Sequence, residues 1–183
     1  MFDENDKREL LSIARGAIDA ALQGRKFGLH QEPQSLLQHS GAFVTLRIDH
    51  ELRGCIGYIE TEKPLAEVIA EVAMKSAFED PRFAPLTREE FKHTTIEISV
   101  LTPLRRIHSI EEIEIGKHGL VISLGARRGL LLPQVAVEHH LDRKSFVEAT
   151  ARKAGLLPSM WSMSDAELFV FEAEVLHEES VGV

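Results

Sequence analysis

Near the start of the chain, Leu10, Leu11, Ala14, Ala17, Ile18, Ala21 and Leu22 recur at three- and four-residue spacing, the pattern of a helix with one face buried. Asp6 with Glu9 three residues on has the spacing of a capping pair, and Gly24 supplies a stop. Residues 25–39 read as loop with about one helical turn. The period then changes to two. Ala42, Val44, Leu46 and Ile48 alternate with Phe43, Thr45, Arg47 and Asp49, and after a polar turn a second run covers 52–59; together they predict a hairpin. Pro64 opens a helix striped with Leu65, Val68, Ile69, Val72 and Ala73, which ends before Pro81. Thr87 and Glu90 have capping-box spacing for a short helix. Residues 94–101 alternate as a strand, and the apolar runs 119–124 and 129–132, joined by 125–128, predict a second hairpin. Asp142 caps a helix through Ala154 that Gly155 stops, and 168–176 read as one amphipathic strand. Hairpins with helices between them predict an α+β fold, a largely antiparallel sheet with flanking helices.

Composition bounds what this fold can be. At 183 residues, with 44% apolar and 27% charged positions, the chain is long enough for a single domain with its own core. It shows no repeat and no separating linker. Cys55 is the only cysteine, which excludes an intramolecular disulfide or a CxxC site and fits a reducing cytosol. Lys+Arg 21 against Asp+Glu 29 leave a net charge of −8, which repels polyphosphate backbones, so nucleic acid is not an expected partner. The first ten residues are acidic where a signal peptide would be basic, and no apolar run approaches the roughly 20 residues needed to cross a bilayer. The expectation is a cytoplasmic protein without a membrane partner.

Candidate chemistry centres on Leu52-Arg53-Gly54-Cys55-Ile56-Gly57-Tyr58. Two glycines inside a strand need a close approach or a bulge to justify them. Alternation places Arg53, Cys55 and Gly57 on one face. A guanidinium there favours the thiolate, and Gly57 leaves space beside the sulfur. The competing reading is a small apolar filler. Downstream, Pro81 fixes where Asp80 and Arg82 point. Arg82 is a candidate clamp for a carboxylate or phosphate, and Asp80 a candidate to orient Arg82 or Arg53; the plain alternative is a surface ion pair. His118 before a strand is a candidate base for the thiol or an ordinary turn residue. His139 and His140 are adjacent and project apart, and neither HExxH nor HxH occurs, so no metal is expected. No Walker loop, GxGxxG, GxSxG or kinase signature is present, so no cofactor is indicated.

These segments together resemble the AMMECR-type domain family, whose hallmark is LRGCIG. The resembling residues are Gly41 to Leu46, Leu52 to Gly57, Asp80 to Phe83, Glu97 to Leu101, His118 to Leu120, Leu131 to Ala136 and Lys153 to Leu156, in order across roughly 8–176. The resemblance implies one AMMECR-type domain spanning 1–183, built as two intimately joined subdomains: a larger one holding both termini and a smaller inserted one. It also implies a cleft near LRGCIG, and an association of prokaryotic members with a radical-SAM enzyme and a Memo-type protein. It gives no reaction and no oligomeric state. Ala151 stands where bacterial members often carry cysteine, and Leu141 where tryptophan is frequent, so thiol chemistry would rest on Cys55 alone.

Two functions follow. One is an enzyme acting on a small anionic metabolite, with Cys55 as nucleophile or general acid and His118 as base. Arg53, Gly54, Gly57, Asp80 and Arg82 would then line the substrate. The other is a non-catalytic binding or accessory subunit for the radical-SAM or Memo-type partner, with LRGCIG structural. Geometrically, 52–59 is expected as an interior strand, with Asp80 hydrogen-bonded to Arg53 or Arg82 beside the cysteine.

Overall fold

The computed structural model describes residues 2–29 and 33–178. Within them the chain is α+β, with two antiparallel sheets and helices packed on them. It divides into two compact units: Met1–Val100 with Glu174–Val183, and Leu101–Ala173 inserted between. Among the described residues no helix is long and apolar enough to cross a membrane.

In the first unit, α1 (Glu4–Leu22) starts earlier than expected, because Asp3 rather than Asp6 is the cap. The Asp3 carboxylate accepts from the N–H groups of Asn5 and Asp6. Asp6 is buried instead and accepts from the Ser35 hydroxyl at 2.6 Å. Gly24 follows the helix at φ +69°, the left-handed geometry that favours glycine at a helix end. β1 (Ala42–Ile48) and β2 (Glu51–Tyr58) form the expected hairpin. α2 (Leu65–Phe78) and the short α3 (Arg88–Lys92) follow, the latter opened by the Thr87–Glu90 capping box. With β3 (Thr94–Leu101) and β8 (Ala173–His177) the sheet order is β2-β1-β3-β8. Val44, Leu46, Ile96 and Ile98 from the sheet are buried with Leu10, Ala17 and Ile18 of α1 and Val68, Ile69 and Val72 of α2. β2 is therefore an edge strand, not the interior strand expected. Alternation reports which side of a strand faces the core, whereas the edge is a matter of what lies alongside.

The inserted unit holds β4 (Arg105–Ile107), β5 (Gly119–Leu124), β6 (Arg127–Leu131) and β7 (Glu167–Phe171) in the order β4-β7-β5-β6. It also holds α4 (Pro133–Glu138) and α5 (Arg143–Lys153), the latter capped by Asp142. Leu120, Ile122, Phe146, Val147 and Val170 form its core. The β5–β6 turn is only Gly125 and Ala126, so Arg127 and Arg128 belong to the strand. The expected single strand over 168–176 is two strands in two different sheets. They part at Glu172, whose backbone N–H and C=O bond the Thr102 hydroxyl and N–H at 2.8 and 2.9 Å. The apolar alternation runs on through this point, which is why the sequence hides the switch.

Candidate functional site

The two glycines of LRGCIG have opposite duties. A methyl at Gly54 would lie 2.1 Å from the Ser76 carbonyl oxygen, so only glycine lets α2 seat its backbone on β2. The Ser76 hydroxyl then accepts from Ile56 N–H and donates to the Val44 carbonyl, both at 2.8 Å. A methyl at Gly57 would lie 2.3 Å from the Phe43 ring, which lies across that glycine on the other face. Gly57 thus makes room for Phe43, and not for a ligand beside the sulfur.

Cys55 shares that other face with Thr45, its cross-strand partner. The half-buried sulfur accepts a hydrogen bond from the Thr45 hydroxyl at 3.2 Å. Burial pushes the thiol pKa up; the Thr45 bond and the Arg82 charge oppose this, while Asp80 and Glu97 add to it. The expected thiolate, favoured by Arg53, is therefore not what the geometry produces. Arg53 turns to Glu90, with Nε to Oε1 at 2.9 Å and Nη2 to Oε2 at 3.1 Å, and its Nη2 also donates to the Ala84 carbonyl at 2.9 Å. That fork is the main reason the Glu90 carboxyl falls to about 2.

Asp80 holds the free edge of β2. Its side chain is 2% exposed, and its Oδ2 accepts from Cys55 N–H at 2.9 Å. Arg82 donates from Nε to Oδ1 at 3.0 Å, from Nη2 to Oδ2 at 2.7 Å, and from its backbone N–H to Oδ1 at 3.1 Å. Arg82 Nη2 also reaches the Cys55 carbonyl at 3.3 Å. The expected hydrogen bond between Asp80 and an arginine is present, and its donor is Arg82. The Asp80–Arg82 turn thereby occupies the N–H and C=O that a further strand would otherwise take. The Arg82 guanidinium, with the Cys55 and Arg82 N–H groups behind it, holds the Asp80 carboxyl well below the usual carboxylate range against the opposing effect of burial. The guanidinium carbons of Arg53 and Arg82 stand 5.7 and 5.5 Å from the Phe83 ring centre. One donor is left over: Arg53 Nη1 is buried with no hydrogen-bond partner among the described residues.

His118 belongs to the inserted unit. It is buried, and its Nδ1 accepts from Glu114 N–H at 3.1 Å while its own N–H bonds the Glu114 carbonyl at 2.9 Å. These bonds make it the closing residue of a turn. His139 and His140 are exposed beyond α4, and among the described residues no three His, Cys, Asp or Glu side chains are grouped to hold a metal. A cluster the sequence reading missed joins β2 to α2: Tyr58 donates to Glu71 at 2.5 Å, Lys75 donates to the Tyr58 hydroxyl at 2.6 Å, and Lys63 also pairs with Glu71. Lys63 and Tyr58 together lower the Glu71 carboxyl to about 2. Only the Glu71–Lys75 spacing of four residues signals it beforehand.

Three comparisons place this geometry among known proteins. A family model described as AMMECR1 matches residues 11–176. A Methanopyrus kandleri protein is 44% identical over 180 residues, covering 93% of this chain and 87% of that protein. A Nanoarchaeum equitans protein is 39% identical over 178 residues, covering 93% and 99%. The crystal structure of an uncharacterized Pyrococcus horikoshii protein superposes with a TM-score of 0.93 at 36% identity, covering 98% of this chain and 94% of that one.

Proposed function

The chain belongs to the AMMECR1 family, and from that premise we propose that it is a non-catalytic binding or accessory subunit whose LRGCIG segment is structural. One observation carries this reading: both arginines beside Cys55 give their paired Nε/Nη2 edge to an internal carboxylate, Arg53 to Glu90 and Arg82 to Asp80. A nucleophilic cysteine needs a depressed pKa or an adjacent base. Here burial raises the thiol, and the neighbouring charges serve to fasten β2 to the turns around it. The family resemblance supports a radical-SAM enzyme or a Memo-type protein as the partner served, in the cytoplasm.

Thiol modification across a pH series tests this. The rate at Cys55 should rise only above the ordinary thiol range near about 8.5, and Cys55→Ala should keep partner binding. A modification midpoint below neutrality, or a stable Cys55→Ala protein that binds its partner and yet abolishes pathway output, overturns it.

A second reading has one specific observation in its favour. A buried donor left without an acceptor costs about 1–3 kcal/mol, and more on a charged group; Arg53 Nη1 is such a donor among the described residues. A small carboxylate or phosphate seated against it, with the half-exposed Arg82 nearby on Phe83, would satisfy it and make Cys55 a candidate acid or nucleophile toward that ligand. Titration with phosphate and acetate decides: saturable binding lost in Arg53→Lys supports an anion site, and no binding removes it.

A further inference from the structure

No further inference is drawn: the strongest candidate, the apolar surface of the inserted unit where Leu157 and Met163 stand exposed on either side of the 3₁₀ turn Pro158–Ser162, carries nothing because nothing among the described residues shows what covers it.

Discussion

The arginines around β2 and those at the β6–α5 corner are used in different ways. Around β2, Arg53 and Arg82 each hold a carboxylate with a two-point fork, and the carboxylate of Asp80 grips the backbone of Cys55 in turn. At the β6–α5 corner, Arg127, Arg128, Arg152 and Lys153 stand exposed on the surface. A guanidinium that gives its paired edge to an internal partner positions the chain and has only its remaining nitrogen for a ligand. So the stretch that looks most like a reactive site in the sequence is where charge turns inward to fasten an edge strand. The stretch that looks like a plain hairpin keeps its arginines exposed at the surface, with Arg127 Nη1 on the Gly155 carbonyl.

The most severe way to break the inward arrangement is Gly54→Ala. The new methyl would meet a helix carbonyl at 2.1 Å, and neither backbone can give, so a loss of about 3 kcal/mol or more is expected in denaturant unfolding. A loss under about 1 kcal/mol means that α2 slides freely on β2. Asp80→Ala comes next. It orphans the Cys55 N–H and releases Arg82, but the half-exposed guanidinium can be rehydrated, so about 2–4 kcal/mol is expected. Chemical denaturation of this variant beside Arg82→Ala separates the two parts of that loss.

Acid gives a third, smaller test. Glu90 and Glu71 titrate near about 2 in the folded chain against roughly 4.3 when unfolded, and Asp80 is depressed as well. A carboxylate depressed by folding stabilises fully above its unfolded pKa and ceases to do so as pH falls through the folded one. Stability should thus decline from about pH 4.5 down toward 2. Glu90→Gln should flatten that limb, and an unchanged limb would mean that the Arg53 fork contributes nothing in solution.

Much of the scaffold follows from local pattern. The β1–β2 hairpin, the α3 capping box, Pro64 before α2 and Gly155 after α5 each depend on neighbours within a few residues. What the sequence conceals is nonlocal. Arg53 and Glu90 are 37 positions apart, and any of several acidic residues could have met that guanidinium; the choice of Glu90 drew Arg53 away from the sulfur. Placing Asp80 beside Arg82 was easier, since Pro81 leaves the two side chains few directions. The edge position of β2 and the change of sheets at Glu172 were hidden for another reason. Alternation continues unaltered through both, because it encodes which side of a strand is buried and carries no information on which strand lies alongside.

The smallest expected effect sharpens the comparison most. Replacing Arg152 and Lys153 together by glutamate puts two negative charges at the negative end of α5, where each lost cation costs about 0.3–1 kcal/mol near a helix terminus. Screening by salt and the exposure of both side chains reduce this. The double reversal should therefore destabilise by about 1–2 kcal/mol at low ionic strength, and by less in salt, measured by thermal melts at two salt concentrations. Asp80→Ala, a single buried carboxylate, should cost more than these two reversed charges and show little salt dependence, because its partners are the Cys55 and Arg82 N–H groups and a fork held at 2.7 to 3.0 Å. If instead the double reversal matched Asp80→Ala in size, the cations of the β6–α5 corner would be holding the fold together.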